Sequence, residues 1–390
     1  MDKLPDLPYK ADLHLHSRFS EGTSASLTWD NIVVEAKKKG INVLGTGDAL
    51  HKEWLNEVLD QCQVFHDCLR CWDIYVFPSA EVCCVWDKNQ VHILLVFAHL
   101  HDVFILYRDI KKLGNFSSGR PKIAISPQEL KSAVKELKHS TLFVLAHALT
   151  PWFGFLGWGN SLTPEHAAEL APDAIETGLS ATPSMYKALG EIKDIPLVSF
   201  SDAHSVPKLG REFTMYVTPS VIEETIFNQT FVPVDMVPQL GKYFGDGHRK
   251  CGYAGEGRCH CGRAVTRGTL SRVEFFLGRK LTQEEIWGND LVYVPQEDTE
   301  EGIRLARLIA QGQLRVIPGF DGKFGKILDE TESAESTELN GTTMDKKAST
   351  DTEAADSKTE VETEAEVKPP KKHKKTSLLS LQPFLFSSLQ

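Results

Sequence analysis

Short apolar or β-branched runs recur through the first two hundred residues: DLHLH (12–16), INVLGTGD (41–48), IYVFPSAEV (74–82), VHILLVFAH (91–99), TLFVLAHAL (141–149), DAIETG (173–178) and PLVSFSDAH (196–204). Segments of helical pattern or length separate most of them. The clearest are WDNIVVEAKKKG, closed by Gly40, and SPQELKSAVKELKH, opened by Ser126 and Pro127. Strand-like runs alternating with helices predict parallel strands joined by crossover helices, as in an α/β barrel. In the first run an extended chain puts Asp12, His14 and His16 on one face and Leu13 and Leu15 on the other. A buried-looking strand thus devotes a whole face to imidazoles and a carboxylate.

Nearly every run ends in a residue that can bind metal: His14 and His16, Asp48, Glu81, His147, Glu176, then Asp202 and His204. In α/β barrels chemistry gathers where the strands end, so these side chains are expected to converge on one rim. With His51 and His92 the set of candidate ligands is His14, His16, Asp48, His51, Glu81, His92, His147, Asp202 and His204. Burying so many polar groups without a cation carries a severe desolvation cost, which points to a polynuclear metal site. Imidazole mixed with carboxylate suits Zn, Mn or Fe, and bridged carboxylate pairs also hold Mg. Clustered divalent ions suit phosphate-ester hydrolysis, one activating water and another stabilising the leaving oxygen.

After residue 206 the pattern changes. GDGHRKCGYAGEGRCHCGR precedes helical stretches near Ser271 to Trp287 and Thr299 to Gln311, and RVIPGFDGKFGKI follows. Residues 1–205 are read as the barrel and 206–328 as a second, smaller module. From Asp329 to Pro370 large apolar residues almost vanish, so 329–370 is read as a disordered acidic tether and 371–390 as a basic tail. The net charge of -10 sits largely in this tether: residues 329–367 hold 13 acidic and 3 basic side chains. The folded part is only mildly acidic, which neither predicts nor excludes a polyanion partner. No apolar run reaches membrane-spanning length and the N-terminus lacks a signal-peptide pattern, so a cytoplasmic chain with no membrane partner is expected. There the eight cysteines are read as thiols or metal ligands rather than disulfides. Cys62, Cys68 and Cys71, in a helical-looking stretch, are read as helix packing residues.

The motifs DLHLHS, GTGDALH, SAEV, VHILL, LAH and SDAH, in this order, resemble those of the PHP phosphoesterases, named for polymerase and histidinol phosphatase. The resemblance spans about residues 9 to 210. It implies a distorted seven-stranded barrel with up to three metals. Many PHP proteins read Asp-His in the second motif, whereas here Asp48 is followed by Ala49 and His51 comes two residues later. Either Asp48 or His51 can then be the ligand. HSRFSEGTS, GTGDALHKEWL, AHALTPWFG and SDAHSVPKLGREF resemble more closely archaeal endonuclease Q and its bacterial relatives, which append a small zinc-binding module and a segment like VIPGFDGKFGKI.

That closer resemblance implies a metal-dependent DNA repair endonuclease. It would cut double- or single-stranded DNA on the 5′ side of a deaminated base (uracil, hypoxanthine, xanthine) or an abasic site, leaving a 3′-hydroxyl and a 5′-phosphate. Zn, Mg or Mn would occupy the PHP site, with His14, His16, Asp202 and His204 as core ligands, Glu81 bridging, and His92 and His147 completing the cage. Asp202, Glu81 and Arg18 are the expected catalytic residues.

The second module offers Cys251, Cys259 and Cys261 with His248 or His260 for structural zinc, although CHC has one intervening residue where zinc ribbons usually have two. Trp152, Phe153, Phe155 and Trp158 follow His147 and suit either walls for an extruded base or a loop over the barrel mouth. Trp152, Phe153, Lys208 and Arg211 are the expected DNA contacts. In the tail, SLLSLQPFL resembles the clamp-binding peptide of replication and repair proteins. Leu381, Phe384 and Leu385 fit its spacing, but Leu378 stands where Gln is usual, so a sliding clamp and bare DNA are the two expected partners. Two rival readings of the whole chain are a small-molecule PHP phosphatase, which needs none of the appended parts, and a non-catalytic PHP scaffold that binds DNA or a clamp.

Overall fold

The computed structural model describes residues 7–65, 68–296 and 299–328. The acidic tether, the basic tail and the clamp-like residues Leu381, Phe384 and Leu385 lie outside the described residues.

Two sheets carry the site. In one, Tyr9–Asp12 runs parallel to Val43–Gly45, which runs parallel to Ile74–Phe77. In the other, Thr141–Leu145, Ala174–Glu176 and Leu197–Val198 run parallel. A parallel bridge between Leu15 and Ala203 joins the two sheets just beyond those strands. Beneath them lies an apolar core built from Leu13, Val43, Val96, Val144, Val198 and Phe200.

The crossover pattern holds except in the middle. Pro78 splits IYVFPSAEV into two strands, and Ser79–Trp86 turns at Asp87 straight into Asn89–Phe97. Two residues cannot carry a parallel crossover, so this pair is an antiparallel hairpin, and Asn89–Phe97 is also antiparallel to Thr141–Leu145. The reversal explains His92. It sits near the start of its strand, and because that strand runs backwards its start reaches the same rim as its neighbours' ends.

Three other details depart from the sequence reading. The first strand stops at Asp12, whose carboxylate accepts from the backbone N–H groups of Ser201 (3.1 Å) and Gly210 (2.8 Å) instead of joining the histidines. The stretch after Trp54 is not one long helix: Lys52–Leu59 is helical, then Gln63–Phe65 and Cys68–Cys71 form an antiparallel pair. Alternation wins there, with Leu69 and Cys71 buried on either side of Arg70. Residues beyond 206 extend the first sheet: Phe213–Tyr216 pairs antiparallel with Tyr9–Asp12, Phe231–Met236 lies beside it, and Leu291–Tyr293 follows.

Helix ends follow their side chains. The helix Trp29–Lys38 is capped by Thr28, and Pro127–Lys135 opens with a reciprocal capping box between Ser126 and Glu129. Among the described residues no helix is long and apolar enough to cross a membrane.

Candidate metal centre

Glu81, fully buried on the hairpin, is the hub. His92 Nδ1 stands 2.7 Å from its carboxylate, His147 Nε2 3.0 Å, His16 Nε2 3.2 Å and His14 Nε2 3.5 Å. Asp202 Oδ1 lies 3.2 Å from His16 Nε2 and 3.7 Å from His14 Nε2, and His204 Nδ1 lies 3.4 Å from it. Three overlapping donor groups result: His14, His16 and Glu81; His16, Asp202 and His204; Glu81, His92 and His147. His16 and Glu81 each belong to two of them, the arrangement expected where ions share ligands.

The residues fit divalent cations on their own geometry. His14 Nε2, His16 Nε2 and Asp202 Oδ1 are buried without a hydrogen-bond partner. Such orphans are costly, and a cation satisfies all three at once. Two ligands held about 2.0–2.2 Å from a tetrahedral ion stand roughly 3.4 Å apart, the spacing seen here. Electrostatics point the same way. Burial alone would keep His14 and His16 neutral, yet Glu176 and Glu81 around the first, and Asp202, Asp48 and Glu81 around the second, pull both well above their usual range. The centre holds an excess of negative charge. Burial instead drops His92 and His204 to about 4, leaving them neutral with lone pairs free to bind.

Behind the ligands a second layer fixes their aim. His14 Nδ1 donates to Glu176 at 2.9 Å, and His16 Nδ1 to Asp48 at 3.1 Å, which turns each Nε2 toward the centre. Asp48 also accepts from Ser17 N (2.8 Å), Ser17 Oγ (2.6 Å) and Ser20 Oγ (2.9 Å). Its oxygens are committed, and it belongs to none of the donor groups among the described residues. Nor does His51, which caps the helix Lys52–Leu59 by accepting from Trp54 N at 3.3 Å and stacks on Phe19. Strain marks the same rim: Asp48, His147 and Asp202 all hold positive φ (46°, 31° and 44°), at a cost of order 1–3 kcal/mol each.

This division of labour gives opposite expectations for two neighbours. Asp48→Asn weakens metal binding roughly 10–100-fold in a metal titration, because His16 loses its anchor. His51→Ala keeps the metal content and lowers unfolding stability by about 1 kcal/mol, the worth of a helix cap. Metal loss in His51→Ala would return that residue to the ligand set.

Other expected site residues are dispersed. Arg18 is engaged in a bidentate pair with Glu57 (2.8 and 2.5 Å), which also accepts from Trp29 N. Arg211 donates through Nε to the carbonyl of Ser201 (2.9 Å) and through Nη2 to that of Asp202 (3.3 Å), so it props the ligand-bearing turn. Lys208 is exposed beside the ring of Phe324. Phe153 stacks flat on His92 with centroids 4.6 Å apart, Phe155 is core, and Trp152 is exposed. Trp158 turns away, donating to the carbonyl of Gly268 beside Arg267 and Arg272.

Two cations escaped the sequence reading. Arg120 Nη1 reaches Glu81 Oε2 at 3.2 Å. It arrives on a loop whose Gly119 has no room for a side chain, since a Cβ would lie 2.2 Å from Asp48 Oδ2. Lys242, with Tyr243, lines a cleft shared with His147, Glu176, Phe200 and Asp202. Neither lies at a strand end, and only the close-approach glycine in SSGRP hints at Arg120.

The second cluster is compact. His248 Nδ1 lies 3.1 Å from Cys259 Sγ and 3.4 Å from Cys261 Sγ, and Cys251 completes a four-donor group. His260 is exposed and outside it. Within residues 245–266 only Gly247 and Cys259 are buried. So little core gives these turns slight support, and the four donors are placed to add a metal staple.

No protein-family model matches the chain. Among curated proteins it is 27% identical over 369 residues to the uncharacterized protein YqxK of Bacillus subtilis, covering 84% of this chain and 87% of that one. It is 33% identical over 142 residues to the uncharacterized protein MJ0043 of Methanocaldococcus jannaschii, 36% of this chain but only 16% of that longer protein. Among solved structures, the lesion-specific endonuclease PfuEndoQ from Pyrococcus furiosus aligns with a TM-score of 0.68 at 24% identity, covering 86% of this chain and 100% of that one. Endonuclease Q in complex with a 27-mer duplex carrying an abasic lesion at the active site aligns at 0.70 and 23%, covering 83% and 97%. In fold, therefore, the chain is like endonuclease Q.

Proposed function

We propose that the chain is a metal-dependent DNA repair endonuclease that cuts the phosphodiester 5′ of deaminated bases or abasic sites. The observation that carries this reading is the convergence of His14, His16, Glu81, His92, His147, Asp202 and His204 at one rim, on the fold of an enzyme solved with lesion DNA at its active site. Divalent ions (Zn, Mg or Mn) held there supply an activated water and positive charge for the leaving 3′-oxygen.

The chain's own residues do the rest. Glu81 and Asp202 hold the ions in register, and Glu176 and Asp48 keep the imidazoles aimed. Arg120 and Lys242 face the centre with positive charge suited to non-bridging phosphate oxygens, and Lys208 extends that charge outward. Arg211 fixes the turn bearing Asp202. Trp152 stands exposed on the loop after His147, placed to meet a base, while Phe153 braces His92. In the second module, His248, Cys251, Cys259 and Cys261 suit zinc, which would fix this module as a DNA-contacting surface.

End-labelled duplexes with a single uracil, hypoxanthine, xanthine or abasic site, incubated with Mg or Mn beside an undamaged control, test the reading. One nick immediately 5′ of the lesion, absent from the control and from Asp202→Asn, is the expected result. Hydrolysis of a small phosphomonoester with no cutting of any duplex would replace the reading with a phosphatase.

A further inference from the structure

Away from the metal centre, the outermost hairpin of the larger sheet holds two thiols in facing positions. Gln63 pairs with Arg70, Val64 with Leu69 and Phe65 with Cys68 in antiparallel register, so Cys62 stands opposite Cys71. Directly opposed residues of an antiparallel pair point to the same face, with Cα atoms roughly 4.5–5.5 Å apart, inside the roughly 4.4–6.8 Å that a disulfide spans. Both are free, are 4% and 3% exposed, and share one core with Trp29, Leu69 and Ile74. The Trp29 indole N–H is buried there without a hydrogen-bond partner.

We propose that Cys62 and Cys71 form an oxidisable dithiol that closes to an intrachain disulfide. Low-molecular-weight disulfides such as glutathione disulfide are the oxidant class. Cys71 Sγ, as thiolate, attacks one sulfur of the oxidant, giving a mixed disulfide and one released thiolate. Cys62 Sγ, deprotonated, then attacks Cys71 Sγ and expels the second. Overall two protein thiols lose two electrons and two protons, and one disulfide becomes two thiols. The order follows from the pair itself: the neighbouring Cys62 thiol lowers Cys71, whose own thiol donates to the Gln61 carbonyl at 3.7 Å, while that same contact raises Cys62. Burial sets the rate, because the pair reacts only when the hairpin opens. A terminal strand pair at a sheet edge is where such opening is easiest. Closing the bond ties the edge strand Gln63–Phe65 to its neighbour beside the helix Lys52–Leu59.

The full-length protein, with its bound metals, is treated with glutathione disulfide, alkylated and digested with trypsin. The expected product joins peptides 53–70 and 71–88, which carry Cys62 and Cys71, with the loss of two hydrogens. The link vanishes in Cys62→Ser and Cys71→Ser and persists in Cys68→Ser, which shares the first peptide. In the wild type it raises the unfolding temperature by a few degrees, and dithiothreitol reverses the rise. Alkylation of both Cys62 and Cys71 after exposure to oxidant, under conditions where the protein opens enough to exchange its hairpin amides, would overturn the proposal. So would a link that depends on Cys68.

Discussion

On the proposed endonuclease reading, Glu81→Gln should remove metal loading and strand cleavage together. The substitution preserves shape and changes one atom, so its effect isolates charge and ligation. Glu81 faces His14, His16, His92, His147 and Arg120 at distances between 2.7 and 3.5 Å. An amide there brings an N–H₂ donor against imidazole lone pairs and takes away the negative charge that two donor groups share. Cations held by those two groups would lose the carboxylate both offer. Cleavage of a lesion duplex is expected to fall on the order of 10³-fold or more, and bound metal measured by elemental analysis to fall with it. Circular dichroism should match the wild type, because Glu81 contributes no apolar packing. A Glu81→Gln protein that keeps its full metal content and its activity would show that this carboxylate is not the shared ligand.

Much of that donor cluster is legible in the sequence because most of the parallel strands deliver a candidate ligand in a short motif just past their C-terminal ends. His14, His16, His147, Asp202 and His204 follow this rule, and the structure brings them together with Glu81, the third residue of Ser79–Trp86. His92 breaks the rule and still arrives, since its strand is reversed. Asp48 and His51 show the limit of motif reading. Both carry ligand chemistry at the right place in the chain, but Ser17, Ser20 and His16 claim the oxygens of one, and a helix N-terminus claims the ring of the other. Which acceptor is already committed is a tertiary fact. Arg18 is lost to Glu57 for the same reason, while Arg120 is gained through a loop with no periodic pattern. The edge hairpin at Cys62–Cys71 was hidden by local ambiguity: QCQVF and CLRC are too short to outweigh the helical pattern before them.

On the proposed zinc reading, Cys259→Ser should release the ion and loosen residues 245–266 while the two sheets around Glu81 stay folded. Cys259 is the buried donor of the second cluster, 3% exposed, and its sulfur accepts from Cys261 N while facing His248. Around it the chain turns repeatedly through glycines: Gly252, Gly257 and Gly262 hold φ of 66°, 83° and 79°. Such turns are entropically expensive, and the segment buries only Gly247 and Cys259 to compensate. In zinc-finger peptides the metal contributes about 10–16 kcal/mol of apparent folding free energy at neutral pH, far more than any packing available to these turns. Serine oxygen is a poor replacement for thiolate, so the four-donor set fails as a unit. The expected result is one fewer zinc per chain, with amide exchange accelerated across residues 245–266 but unchanged in Asn89–Phe97 and Thr141–Leu145. Cleavage of lesion DNA should weaken through binding, with a raised KM, while the metals at Glu81 remain. Unchanged zinc content and unchanged exchange in Cys259→Ser would mean that the turns are held by their backbone hydrogen bonds alone, such as those linking Gly247 with Thr266 at 2.8 and 3.0 Å.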